Sequence, residues 1–242
     1  MRRASADGPA ATYDDLWTHV YGDMQEEGPA HRHLRRLLRD VLGGLEYRSA
    51  ADVGCGAGHN LPLLREGRPG CGLAGIDVSR RALDEARRRF PDGEFHELDI
   101  QRGPAPGRWD LVFSCLLLEH LPDDAAALRH MRRMAERHLL VASVAGDLRR
   151  YRAWEEKVGH VRNYRRGELE TRVEAAGFRC ERVLYWGFPF YSPVARRLQE
   201  RSGVGSGRFG TVTRMAARVL YGLYFLNSRR RGDLVVVLAR AV

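Results

Sequence analysis

Along HRHLRRLLRDVLGGL (31–45), Leu34, Leu37, Leu38, Val41 and Leu42 recur at the three- and four-residue intervals of one helix face, with arginines between them. The period then changes. AADVG (50–54) is a short apolar run of the kind that forms a buried strand. The same reading applies to GLAGIDV (72–78), GEFHELDI (93–100), WDLVFSC (109–115), HLLVASV (138–144), RCERVLYW (179–186) and GDLVVVLARA (232–241). Helical stretches separate these runs. HNLPLLREG follows the first. SRRALDEARRRF has Ser79 as a cap and Leu83, Ala86 and Phe90 on one face. PDDAAALRHMRRMAE opens with Pro122 and acidic residues, and RRGELETRVEAAGF closes near Gly177. Strands alternating with helices predict an α/β, doubly wound, mostly parallel sheet of seven strands.

Two stretches stand outside this alternation. Residues 1–34 carry Tyr13, Trp17 and Tyr21 at helical spacing. Residues 187–231 carry Phe188, Phe190 and Tyr191, the glycine-rich GVGSG at 203–207, and the amphipathic VTRMAARVLYGLYFLN. The expected organisation is an N-terminal helical lid over 1–34 and one domain over 35–242. Within that domain, 187–231 is an insertion before the last strand that completes the lid. Trp17, Tyr21 and Phe190 are the candidate substrate contacts on these segments.

The formal net charge of +9 raises the question of nucleic acid. Its distribution argues against it. Lys157 is the only lysine among 40 basic residues, and the arginines are interleaved with acids, as in RRALDEARRRF, which marks solvated helix surfaces. The longest apolar stretch, VLYGLYFLN (219–227), is far short of the roughly 20 residues that cross a bilayer. MRRASADGPA lacks the apolar run of a secretion signal. A cytoplasmic protein, monomer or homodimer, is the expectation. Cys55, Cys71, Cys115 and Cys180 have no metal-ligand spacing, and no metal is expected.

The candidate chemistry starts at ADVGCGAGHN, where three glycines spaced two apart follow the first strand. In a parallel sheet, ligands sit outside the carboxyl ends of the strands, so this loop is placed to bind one. The dinucleotide pattern G-x-G-x-x-G fails in both registers, because His59 and Leu61 stand where its third glycine belongs. No Lys-Ser or Lys-Thr follows, so the loop is not a P-loop either. Both patterns hold phosphates, and the ligand here is expected to carry none.

The series Asp52, Gly54, Gly56, Gly58, then Asp77 in GIDVS and Asp99 in ELDI, resembles the Rossmann-like methyltransferases that use S-adenosylmethionine. The resemblance covers roughly residues 35–186. It implies a last strand running antiparallel to the others. It also implies that the glycines meet the methionine part of the cofactor, that Asp77 with Val78 holds the ribose hydroxyls, and that Asp99 with the backbone of Ile100 holds the adenine. Ser114 to Leu116 would face the methionine amine.

The resemblance narrows the acceptor. SCLLLEH ends the fourth strand, where methylases of exocyclic base amines carry Asn- or Asp-Pro-Pro-Tyr and cytosine-carbon methylases carry Pro-Cys. Metal-dependent catechol methylases place an acidic ligand at that strand end, and none stands there. LLLEHLPDD and GHVRNYRRGELETRVEAAGF are similar to the small-molecule, quinone-biosynthesis-like branch, which includes tailoring enzymes of secondary metabolism. Candidate bases are His120, at the strand exit, and His160, with Tyr164 four residues on as a substrate contact. The competing readings are an RNA or protein methylase and a cofactor-binding protein that transfers nothing.

Overall fold

The computed structural model describes residues 24–198 and 209–242. Strands β1 (Ser49–Val53), β2 (Gly72–Asp77), β3 (Glu94–Glu97), β4 (Trp109–Cys115), β5 (Ala135–Val144), β6 (Phe178–Trp186) and β7 (Leu234–Ala241) form one sheet, ordered β3-β2-β1-β4-β5-β7-β6. Strands β1 to β5 pair in parallel, and β7 runs antiparallel between β5 and β6. This is the expected doubly wound sheet with its last strand reversed.

The helices are α1 (Met24–Glu27), α2 (Pro29–Leu42), α3 (Leu61–Arg65), α4 (Arg80–Arg89), α5 (Asp124–Met134), α6 (Arg152–Val158), α7 (Glu168–Ala175) and α8 (Thr211–Leu223). Ser79 caps α4, its Oγ accepting from the Ala82 amide at 3.1 Å. The helix expected to open with Pro122 starts two residues later, at Asp124, behind Asp123 as its cap, which accepts from the Ala126 amide at 2.8 Å. Alternate residues of the strands point to opposite faces. Leu111 and Phe113 of β4 pack with Leu34, Leu38 and Val41 of α2, while Val112 packs with Leu128 and Met131 of α5 and Val173 of α7.

The boundary expected after residue 34 falls inside α2, a continuous helix whose Leu34, Leu37 and Leu38 are all buried. Trp17 and Tyr21 lie outside the described residues, as does GVGSG. The described part of 187–231 is docked on α2. His33 Nε2 meets the Tyr221 carbonyl at 2.8 Å, and its ring stacks on Trp186 at 5.4 Å. Met24, Trp154, Val158, Phe209 and Ala217 form one small apolar cluster that joins α1, α6 and α8.

On the opposite face, Asp124 is buried at the start of α5. It accepts from the Tyr164 hydroxyl at 2.7 Å and pairs with Arg172 at 2.9 Å, linking α5 to α7. Burial and then Asp124 push the Tyr164 phenol well above its ordinary range. Tyr164→Phe removes one donor from a buried carboxylate, which costs about 1–3 kcal/mol. Urea denaturation should show that loss, and the KM of any acceptor should be unchanged.

Candidate active site

The sheet order sets the carboxyl ends of β3, β2, β1 and β4 side by side. At β1 the chain turns sharply. The amides of Gly54 and Cys55 both donate to the Ile76 carbonyl of β2, at 2.7 and 3.2 Å. Gly54 and Gly56 have φ of +77° and +51°, the left-handed region that a side chain disfavours. A Cβ at Gly54 would also lie 2.9 Å from the Leu117 side chain. Gly58 ends the loop ahead of α3, again at positive φ.

Asp77, at the end of β2, ties this loop in place. One carboxylate oxygen accepts from the Gly56 amide at 2.8 Å, the other from the Ser79 amide at 2.9 Å. Val78 follows, half-buried. The Leu98 amide donates to the Asp77 carbonyl at 2.9 Å, which brings Asp99 alongside. Asp99 closes a turn of its own, accepting from the Gln101 amide at 3.0 Å. Ile100 is buried, with its carbonyl 2.7 Å from His130 Nδ1. At the end of β4, Ser114 Oγ donates to the Val53 carbonyl at 2.9 Å. Leu116 then takes φ +56°, the one non-glycine residue in the left-handed region among those described. Such a conformation costs of order 1–3 kcal/mol and clusters at functional sites.

Asp52 lies beneath the loop. It is fully buried, and neither carboxylate oxygen has a hydrogen-bond partner. Burial, then the nearby Asp77, push its carboxyl well above the usual range.

A cleft of about 1570 Å³, mouth included, opens over the loop. Its floor is Gly54, Cys55, Gly56, Cys115 and Leu116, and α2 and α8 form its walls. Most of the wall is apolar, and Glu119, His120 and His160 form a polar pole. The two imidazole rings stand 4.6 Å apart, nearly perpendicular. His120 Nδ1 lies 3.3 Å from the Gly159 carbonyl, and His160 Nδ1 lies 2.5 Å from Glu155 Oε2. Burial, then His160, push the His120 imidazole down to about 3, so it is neutral at pH 7. Glu119 is fully buried. Ser143 Oγ donates to its Oε2 at 2.7 Å, Oε1 has no partner, and burial raises its carboxyl. Behind His160, the buried Glu155 also accepts from Asn163 at 2.9 Å and from Arg196, which reaches Asp233 at 3.4 Å.

His120 and His160 thus meet at the cleft, and the expected cofactor residues line up along the strand ends. Two expected substrate residues are elsewhere. Tyr164 lies in the core on Asp124. Phe190 packs beside Trp186 with its amide on Asn227 Oδ1 at 2.8 Å, and its neighbour Tyr191 lines the cleft instead. Glu119, Glu155 and Arg196 were not anticipated. A carboxylate inside the apolar LLLEH was the available signal for Glu119.

Fold and site together define the class of fold: the sheet order and its reversed last strand are those of the Rossmann-like, class I methyltransferases. Residues 51–137 match the family model described as "Methyltransferase domain". The chain is 34% identical over 128 residues to a trans-aconitate 2-methyltransferase of Escherichia coli, covering 50% of each chain. A second such enzyme, from Afipia carboxidovorans, is 36% identical over 104 residues, 42% of this chain and 40% of that one. The chain spans half or less of the length of these relatives. Among solved structures, magnesium protoporphyrin IX methyltransferase of Synechocystis PCC 6803 with bound SAH superposes with a TM-score of 0.61 at 17% identity, covering 96% of both chains. N-methyltransferase NodS of Bradyrhizobium japonicum, also with S-adenosyl-L-homocysteine, gives 0.62 at 17% identity over 97% of this chain and 99% of that one. The [4+2]-cyclase SpnF shares the fold at 0.61, 19% identity and 96% and 95% coverage, so the fold alone does not name the reaction.

The buried, unpartnered Asp52 gives a pH-dependent prediction. Its folded carboxyl titrates above the unfolded value of about 4. The protein therefore keeps this contribution to stability at low pH and loses it as pH rises through the folded value. Asp52→Asn removes the charge. Its melting temperature minus that of the wild type should grow as pH is raised from about 4 towards 7, corresponding to about 1–3 kcal/mol. Scanning calorimetry across that range checks the sign.

Proposed function

We propose that the chain transfers the methyl group of S-adenosylmethionine to a small-molecule acceptor. One observation carries this reading: the row of strand ends and a largely apolar cleft converge on the loop at Gly54–Gly58. The cofactor supplies a methyl carbon bound to positively charged sulfur, which an aligned nucleophile attacks in line. The protein's part is to hold the two partners. The open backbone at Gly54 and Gly56 admits the methionine portion, and the unpartnered carboxylate of Asp52 suits its ammonium. Asp77 and Val78 sit where the ribose hydroxyls fall, and Asp99 and Ile100 where the adenine edge falls. Ser114 and Leu116 border the methionine end.

The acceptor occupies the cleft under α2 and α8. Held against the polar pole, its reacting atom is positioned near the loop, and positioning contributes much of the rate in such transfers. The walls favour a flat or apolar body with one polar end. An oxygen, nitrogen or carbon acceptor of secondary-metabolite tailoring fits this description. The small acid in the names of the sequence relatives supports a small-molecule acceptor. The apolar lining and the paired surface arginines favour it over RNA or protein.

Asp77→Ala should weaken binding of the demethylated cofactor about tenfold or more while the chain remains folded, since hydrogen bonds to a charged group contribute about 1.5–3 kcal/mol. Calorimetry measures this, and unchanged affinity removes Asp77 from the site. Methyl-labelled cofactor with a panel of metabolites, RNA and protein tests the acceptor class. Label in RNA or protein alone would overturn the small-molecule reading, and binding with no transfer to any acceptor would overturn catalysis.

A further inference from the structure

The polar pole of the cleft has the composition and geometry of a metal site. One ligand-capable atom from each of Glu119, His120 and His160 lies within 4.8 Å of the other two. Ligands held about 2.0–2.2 Å from one ion lie at most about 4.4 Å apart, close to this spacing. The orientation of the groups agrees. His160 Nδ1 is held by Glu155 and His120 Nδ1 faces the Gly159 carbonyl, which makes Nε2 the ligating nitrogen of both rings. A carboxylate behind a ligating imidazole is the usual outer-shell partner of a bound metal. Glu119 adds the independent observation: it is fully buried, fixed through Oε2 by Ser143, and its other oxygen has no partner. A buried carboxylate oxygen with no donor is costly unless something binds it.

We infer that Glu119, His120 and His160 bind one divalent first-row transition ion, with its remaining coordination positions open to the cleft. Two imidazoles and one carboxylate suit manganese, iron, cobalt or zinc better than magnesium or calcium, which prefer oxygen alone. One carboxylate leaves the centre with a net positive charge, so the open positions take an anionic or hydroxyl oxygen. If the chain methylates as proposed, that oxygen belongs to the acceptor, and the metal orients it beside the loop. The histidines then serve as ligands rather than bases. This last step rests on the methyl-transfer reading, and the metal site does not.

The test uses the full chain, stripped with a chelator and titrated with cobalt(II). One equivalent should bind, with visible absorption of imidazole-coordinated cobalt. Glu119→Gln and His160→Ala should each weaken binding by at least a hundredfold, and Glu155→Gln by about ten- to a hundredfold through the outer shell. If these variants fail to fold, substoichiometric manganese(II) added to the wild type should broaden the imidazole proton signals of His120 and His160 first, sparing His138 at the far end of β5. Absence of stoichiometric binding overturns the site. So does binding unchanged in Glu119→Gln, or broadening centred on other histidines. Methyl transfer by a metal-free chain that binds no cobalt would overturn this inference alone. Cobalt binding at these residues in a chain that methylates nothing would overturn the proposed function alone.

Discussion

The buried carboxylate of Glu155 is the constraint on which the cleft depends. It is fully excluded from solvent and accepts from His160, Asn163 and Arg196, and Arg196 in turn reaches Asp233 at the start of β7. Burial alone would push its carboxyl up, and the partners more than offset this, leaving it below its ordinary range. Three parts of the chain meet at this one side chain, α6, the segment leading to α7 and the insertion after β6, and Arg196 ties them to the residue before β7. A network of this kind contributes little net stability against an apolar replacement, yet loss of any one partner leaves an uncompensated charge in the interior. Its consequence is therefore geometric. The imidazole of His160 is fixed in one orientation, and the insertion is fixed against the sheet by the same charge.

The floor of the cleft is built on the opposite principle. Asp52 has no donor and Leu116 sits in a left-handed conformation, so both raise the energy of the folded chain. The strands around them are among the best packed in the molecule, with Val53, Val112 and Phe113 wholly buried. That packing holds both residues in place. Relieving either would stabilise the folded chain.

Most of the fold was legible because buried strands are continuous apolar runs and α4, α5 and α7 carry their own start and stop residues. The loop at Gly54–Gly58 was legible because its conformation demands glycine. The far wall of the cleft was less so. Only Trp154, Glu155 and Val158 of the short α6 are buried, too few for its period to show. Tyr164 was misplaced because a four-residue spacing from His160 suggests a shared side. The chain from 160 to 163 is not helical, and at Tyr164 it bridges to Ala145. The ring thus leaves the cleft for the core. Glu155 and Arg196, 41 residues apart, give no local sign that they pair.

This difference reflects how the two halves are made. The loop side is assembled from the ends of β1, β2, β3 and β4, which neighbour one another in the sheet, so its residues keep a readable order along the chain. The rest of the cleft draws on α1 and α2, the stretch from Glu119 to His160, and the insertion. These meet only through tertiary packing, in the cluster of Met24, Trp154, Val158, Phe209 and Ala217 and in the stacking of His33 on Trp186. Substitutions at Thr213, Ala216 or Leu220 on the inner face of α8 change the cleft wall without touching a residue between Asp52 and Ile100. The cleft wall can therefore be reshaped while the loop, Asp77 and Asp99 stay as they are.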